Sequence, residues 1–144
     1  MGVRAGLTVI SAEAFDEIVA GKEPDCTGPY YPLDKAWRDF RIILEDRDPP
    51  LRYAISGDVL HPQSPHTLEE FCEGNHEWYA GFVSPRLVRE IAAELEALPP
   101  SEWQRWYDER CDGSYDPDGT FFQELKAAYG DAARSGRALM IFIA

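Results

Sequence analysis

Apolar residues Leu33, Ala36, Trp37, Phe40, Ile43 and Leu44 recur at i, i+3, i+4, i+7, i+10 and i+11. That is the spacing of one buried stripe on an α-helix. Asp34, Lys35, Arg38, Asp39 and Arg41 fill the other side, so residues 33–44 read as an amphipathic helix with a wet face. A second helix is specified better still after residue 84. Leu87, Val88, Ile91, Ala92, Leu95 and Leu98 line one face, Ser84 is placed to cap it, and Pro85 suits the first helical position. Pro99 and Pro100 end it.

Ser101 with Gln104 then predicts a capping box for a helix carrying Trp103, Trp106 and Tyr107. Thr120 with Gln123 repeats the box ahead of a last helical stripe of Phe121, Phe122, Leu125, Ala128, Tyr129 and Ala132, which Gly136 closes. Nearer the start, residues 7–10 are β-rich, and Ser11 caps a helix to about residue 20 with Phe15, Ile18 and Val19 as its stripe. Residues 51–55 read as a short strand or extended segment, and residues 77–83 as a strand. Residues 138–143 are continuously apolar, which suits a strand covered on both faces. Between these lies a long loop over residues 56–76, with Pro62 and Pro65 and room for a helical turn near residues 68–72. Loops of that length are often functional. The pattern predicts one α+β domain spanning residues 1–144, with four to five helices packed on a small mixed sheet that includes the N-terminal and C-terminal strands.

Charge narrows the possible partners. Acids outnumber bases 26 to 14, for a net charge of −12 and a pI near 4.6. A field of that sign repels phosphate backbones and anionic lipid, so neither nucleic acid nor a membrane surface is expected as a partner, whereas a basic protein would be drawn in quickly. No apolar run approaches the roughly 20 residues that span a bilayer. The N-terminal segment meets Glu13 and Asp16 before a signal-peptide core forms. Met1 and Gly2 begin like an acylation site, but Gly6 stands where Ser or Thr is needed. Cys26, Cys72 and Cys111 are odd in number and scattered, which implies no disulfide framework. A cytoplasmic protein is the expectation.

Three stretches carry a resemblance. Leu33-Asp34-Lys35-Ala36-Trp37 with Leu44 ahead of a break comes first, and Tyr79-Ala80-Gly81-Phe82-Val83-Ser84-Pro85 leading into Val88 and Ile91 comes second. The third is Phe122, Leu125, Lys126, Tyr129 and Ala132-Ala133 before Gly136-Arg137-Ala138-Leu139-Met140. In this order, over nearly the whole chain, they resemble the YfbM-like family of bacterial proteins of unknown function. The resemblance implies a single α+β domain and brings no established activity, so no catalytic residue is carried over. The chain also departs from the family pattern, which tends to place His on the central helix after the Trp, where Arg38 and Arg41 stand here.

The residues themselves offer few sites. His61, His66, Cys72 and His76 are four metal-capable side chains within one loop, but their spacing matches no zinc signature; surface histidines and a buried cysteine are the plainer reading. Cys72 stands among Glu69, Glu70 and Glu73, and Cys111 at a helix C-terminus, neither of which activates a thiol. Residues 112–119 have oxygen-bearing side chains at alternate positions, yet Pro117 and Gln123 occupy the sixth and twelfth places, where a calcium loop needs Gly and Glu. Trp103, Trp106 and Tyr107 beside Asp108 and Glu109 read either as core or as aromatic anchors ringed by acid for a basic partner. The sequence therefore leads to a non-enzymatic acidic protein-binding domain with no cofactor, in its sharpest form an immunity- or antitoxin-type protein masking a basic toxin or nuclease. The alternative is a metal-binding protein or hydrolase using the His61–His76 loop. A small-molecule sensor pocket lined by Trp37 and Trp78 is a third reading.

Overall fold

The computed structural model describes residues 3–63, 65–74, 76–112 and 115–144. Met1 and Gly2 of the incomplete acylation motif lie outside the described residues, as do Gly113 and Ser114 of the acidic turn. The strands are β1 (Ala5–Ile10), β2 (Tyr30–Asp34), β3 (Val59–Leu60), β4 (Tyr79–Val83) and β5 (Ala138–Ile143). They form one sheet in the order β2-β1-β5-β4-β3. The C-terminal apolar run occupies the centre: β5 pairs with β1 from Ala5↔Ile143 to Ile10↔Ala138, and with β4 from Tyr79↔Ile143 to Val83↔Leu139. Every pairing is antiparallel, where a mixed sheet was expected. The reason is that β1 and β4 run the same way and β5 enters between them in the opposite direction.

The helices are α1 (Ala12–Val19), α2 (Trp37–Leu44), α3 (Leu68–Glu73), α4 (Pro85–Ala97), α5 (Pro100–Arg110) and α6 (Thr120–Arg134). Among the described residues that makes six, one more than the highest expectation, because the turn near residues 68–72 is a regular helix. Alternation along the strands sends Leu7, Val9, Ile141, Ile143 and Tyr79 to the inner face of the sheet, where they join one core with the apolar stripes of α2, α4, α5 and α6. On the outer face Ile10, Phe82 and Ala138 pack against Ala14, Phe15 and Ile18 of α1. Helix α1 covers only part of that face. Val19 is exposed rather than in the stripe, Phe142 is 42% exposed, and the Trp78 ring stacks on Phe142 at 5.9 Å. So β5 is covered on both faces over its first half only. No helix among the described residues is long and apolar enough to cross a membrane.

Several boundaries differ from the sequence pattern for identifiable reasons. Helix α2 starts at Trp37, not at residue 33: Leu33 belongs to β2, and Asp34, the last residue of that strand, turns the chain with φ of 49°. The stripe is buried all the same, with Leu33 reaching the core from the strand. Residues 51–53 form a 3-10 turn instead of a strand, closed by bonds from Tyr53 N–H to the Pro50 carbonyl and from Ala54 N–H to that of Leu51. Ser84 caps α4 by accepting from Leu87 N–H, with Pro85 at the first position. Helix α5, however, begins at Pro100 with Pro99 as its N-cap. Ser101 is therefore inside the first turn and no box forms with Gln104, which donates to Asp108 at 2.9 Å instead. Nor does Thr120 cap α6. Gly119, at φ of 77°, takes the N-cap place, and the Asp116 carboxylate accepts from Phe121 and Phe122 N–H at 3.0 Å each. Among the described residues the reciprocal capping box is on α3, where Thr67 and Glu70 bond each other's backbone N–H.

Gly81 shows how closely the sheet is seated. The Tyr79 hydroxyl donates to the Ser56 carbonyl directly over Gly81, and a Cβ there would overlap both oxygens. Gly81→Ala is expected to destabilise the fold by about 1–3 kcal/mol, since the carbonyl is backbone and cannot swing away. Urea unfolding of the two proteins measures it; equal midpoints would show that the strand yields.

Candidate functional site

The loop with the four metal-capable residues is built around α3. The Thr67–Glu70 box starts that helix, which turns Phe71 into the core against Trp37 and Tyr79 and leaves Cys72 exposed. His66 and His76 flank the helix and meet: their rings stack with centroids 4.0 Å apart and planes 9° from parallel. A His66 ring nitrogen, Nε2, lies 3.0 Å from the Trp78 carbonyl. His61 stands apart, edge-on to Trp78 at 5.3 Å, with its Nδ1 accepting from Gln63 N–H. The fold thus brings two of the four together. Face-to-face rings direct their nitrogens along parallel planes, and among the described residues no three His, Cys, Asp or Glu side chains assemble as a metal-ligand set. Partial desolvation raises the Cys26 thiol and that of exposed Cys72, expected to be buried, above their ordinary value and pushes Cys111 up to about 11. All three stay protonated near neutrality.

The α5 aromatics turn inward. Trp103 stacks on Phe122 at 4.0 Å and meets Phe40 edge-on at 5.5 Å. Trp106 donates its indole N–H to Glu102 at 3.1 Å, while the Arg47 guanidinium lies 3.9 Å from the centre of its ring. Even Trp106 is only 8% exposed. Trp103, Trp106 and Tyr107 are therefore core residues, because their i, i+3, i+4 spacing is itself the stripe by which α5 packs. What α5 offers to solvent is polar and largely paired internally: Arg105 bridges Glu102 at 2.6 Å and Glu109 at 3.2 Å, and Asp108 accepts from Gln104.

Beneath α5 lies a buried polar node that the helical pattern concealed. Asp39, placed by periodicity on the wet side of α2, is covered by α5 and accepts a hydrogen bond from the Tyr107 hydroxyl. The same hydroxyl accepts from Asp116 N–H at 3.1 Å. Asp116 is buried too, and its desolvation raises its pKa against the two backbone N–H bonds that lower it. Desolvation, with Asp39 as acceptor, raises the Tyr107 phenol well above its usual value. These bonds tie α2 and α5 to the start of α6, which is a structural role. The sequence signal that would have found Asp116 is its place ahead of Pro117-Asp118-Gly119, a turn that aims a carboxylate at the following helix.

Three hollows open among the described residues, the shallowest of them, about 470 Å³, on α5 between Ser101, Gln104, Arg105, Asp108 and Glu109; the other two lie between elements. One, of about 510 Å³, lies between the C-terminal end of α2, the 3-10 turn and the start of α3. The other, of about 650 Å³, is a groove between Pro49-Pro50 and the outer side of α4, bordered by Glu90, Ala93, Glu94 and Ala97. Tyr53 lines both.

Tyr107→Phe removes the donor to a buried carboxylate and is expected to cost about 1–3 kcal/mol at pH 7. It also changes the alkaline limb. A phenol whose folded pKa is raised contributes stability that is complete below the unfolded value, about 10, and is lost as pH rises above it. Denaturant midpoints between pH 9 and about 11.5 should therefore fall less steeply in Tyr107→Phe than in the parent; parallel slopes would place the phenol's ionisation elsewhere.

No protein-family model and no curated protein matches the chain. A search of solved structures finds the crystal structure of a protein of unknown function, YfbM from Escherichia coli, which is 16% identical. The match covers 98% of this chain and 99% of that one, with a TM-score of 0.57. Likeness at that identity speaks for the fold and brings no activity with it. The resemblance read from the sequence holds over the full length: this α+β chain is similar to YfbM and shares its fold.

Proposed function

We propose that the chain is a non-catalytic protein-binding domain that receives a basic segment of a partner in the groove along α4. That is the role an immunity- or antitoxin-type protein plays toward a basic toxin or nuclease. The observation that carries this reading is the groove itself. Pro49, Pro50, Tyr53 and Leu87 supply apolar wall, the small side chains of Ala93 and Ala97 leave the helix surface open to close approach, and exposed Glu90 and Glu94 outnumber the one cation of the lining, Arg86. An amphipathic segment with apolar anchors and flanking Lys or Arg fits that arrangement. The net charge of −12 supports the same partner class by steering cationic surfaces toward the molecule. The α5 surface named by the sequence pattern is less suited, because Arg105 already engages Glu102 and Glu109.

The test is cross-linking mass spectrometry of the natively expressed, untagged protein with whatever co-purifies. The expected outcome is a stoichiometric basic protein cross-linked to α4. Binding should weaken about tenfold or more on Glu90→Lys with Glu94→Lys, weaken with added salt, and persist in Asp108→Asn. A bare chain, or a partner indifferent to the α4 substitutions, overturns the reading.

A further inference from the structure

The hollow at the end of α2 has the dimensions of a small-molecule site, about 510 Å³ within the usual range of roughly 300–1,000 Å³. Leu44, Ile55 and Leu68 of the core reach its floor, while polar groups make up the larger part of its surface. Its walls come from segments distant in sequence and carry both signs of charge. Three of the charges are already satisfied. Arg41 pairs with Glu45 at 3.5 Å, and Asp46 pairs with Arg110, which holds the Asp46 carboxyl below the ordinary range. That leaves Arg52 on the 3-10 turn and Glu69 at the start of α3. Both line the hollow and are exposed, and neither makes an ion pair among the described residues. One unpaired cation and one unpaired anion over an apolar floor complement a molecule with the same three parts in reverse.

We infer that this hollow binds a zwitterionic small molecule of the α-amino-acid class with a large apolar side chain. The ligand carboxylate meets the Arg52 guanidinium, which offers a planar fork of donors. The ligand ammonium meets Glu69, and the side chain lies on Leu44, Ile55 and Leu68. Thr67 is held at the rim by its capping box: its hydroxyl accepts from Glu70 N–H, so the hydroxyl hydrogen remains to be donated to the ligand. A simple anion is disfavoured, since the lining holds three carboxylates, Glu45, Asp46 and Glu69, against two guanidinium groups, Arg41 and Arg52. This site is separate from the α4 groove, and the inference does not rest on the partner proposed there.

Calorimetric titration of the full chain with L-leucine, L-methionine, L-phenylalanine and L-tryptophan tests it, with phenethylamine and phenylpropionate as analogues lacking one charge. Saturable one-to-one binding of at least one amino acid is expected, with each single-charge analogue about tenfold weaker or worse. Arg52→Gln and Glu69→Gln should each weaken binding by a similar factor while leaving the thermal midpoint in place, because both side chains are exposed. Amide shifts on titration should centre on residues 44, 55 and 68. Absence of saturable binding across the panel, analogues as tight as the amino acids, shifts centred elsewhere, or binding unchanged in both variants each overturns the inference.

Discussion

The slot between β1 and β4 is the constraint on which the rest of the structure depends. These two strands run the same way and are joined only through β5, which satisfies backbone donors and acceptors on both of its edges. An unpaired central edge would expose a row of N–H and C=O groups that nothing else in the chain is placed to meet. Filling the slot brings Ile143 beside Ala5, residues at opposite ends of the sequence, so the whole intervening chain is closed into a loop before the sheet is complete. The side chains make that closure favourable: Leu139, Ile141 and Ile143 are fully inside, beneath α4 and α6. Strand pairing and helix packing on the inner face therefore depend on each other.

Over that sheet, the polar node at Tyr107 fixes how three helices sit relative to one another. Asp39 on α2, Tyr107 on α5 and Asp116 before α6 exchange directional bonds inside an otherwise apolar layer. Apolar contacts tolerate sliding by a fraction of a turn; a buried carboxylate without its donor does not. The stacking of Trp103 on Phe122 beside this node is the packing consequence, since both rings are held face to face once the α5 and α6 registers are set.

Much of this was legible in the sequence, and what was missed has a common cause. Helix α4 was read almost to the residue because Ser84, Pro85 and the Leu87–Leu95 stripe are all local signals. Strand β5 announced itself by its apolar run, although its register and its Phe142 exposure depend on which helix covers which half of the sheet. Periodicity alone assigned Asp39 to solvent, because the pattern within α2 cannot see α5 arriving on its far side. Ser101 and Thr120 have the right neighbours for caps but lost to Pro99 and to Asp116, choices settled by where the preceding turns point. The two hollows between elements left no motif at all. Arg52 and Glu69, or Pro49 and Ala97, become neighbours only through tertiary packing, and no spacing records them. The histidine loop is the converse case: four residues close in sequence, of which the fold stacks His66 on His76 and sets His61 against Trp78.

Tyr53 lines both hollows, a single phenol on a single 3-10 turn between them. Because one ring forms wall in both, a substitution at Tyr53 alters the shape of both hollows at once, so the side chains that tell them apart are those on one side alone: Arg52 and Glu69 for the first, Ala93 and Ala97 for the second.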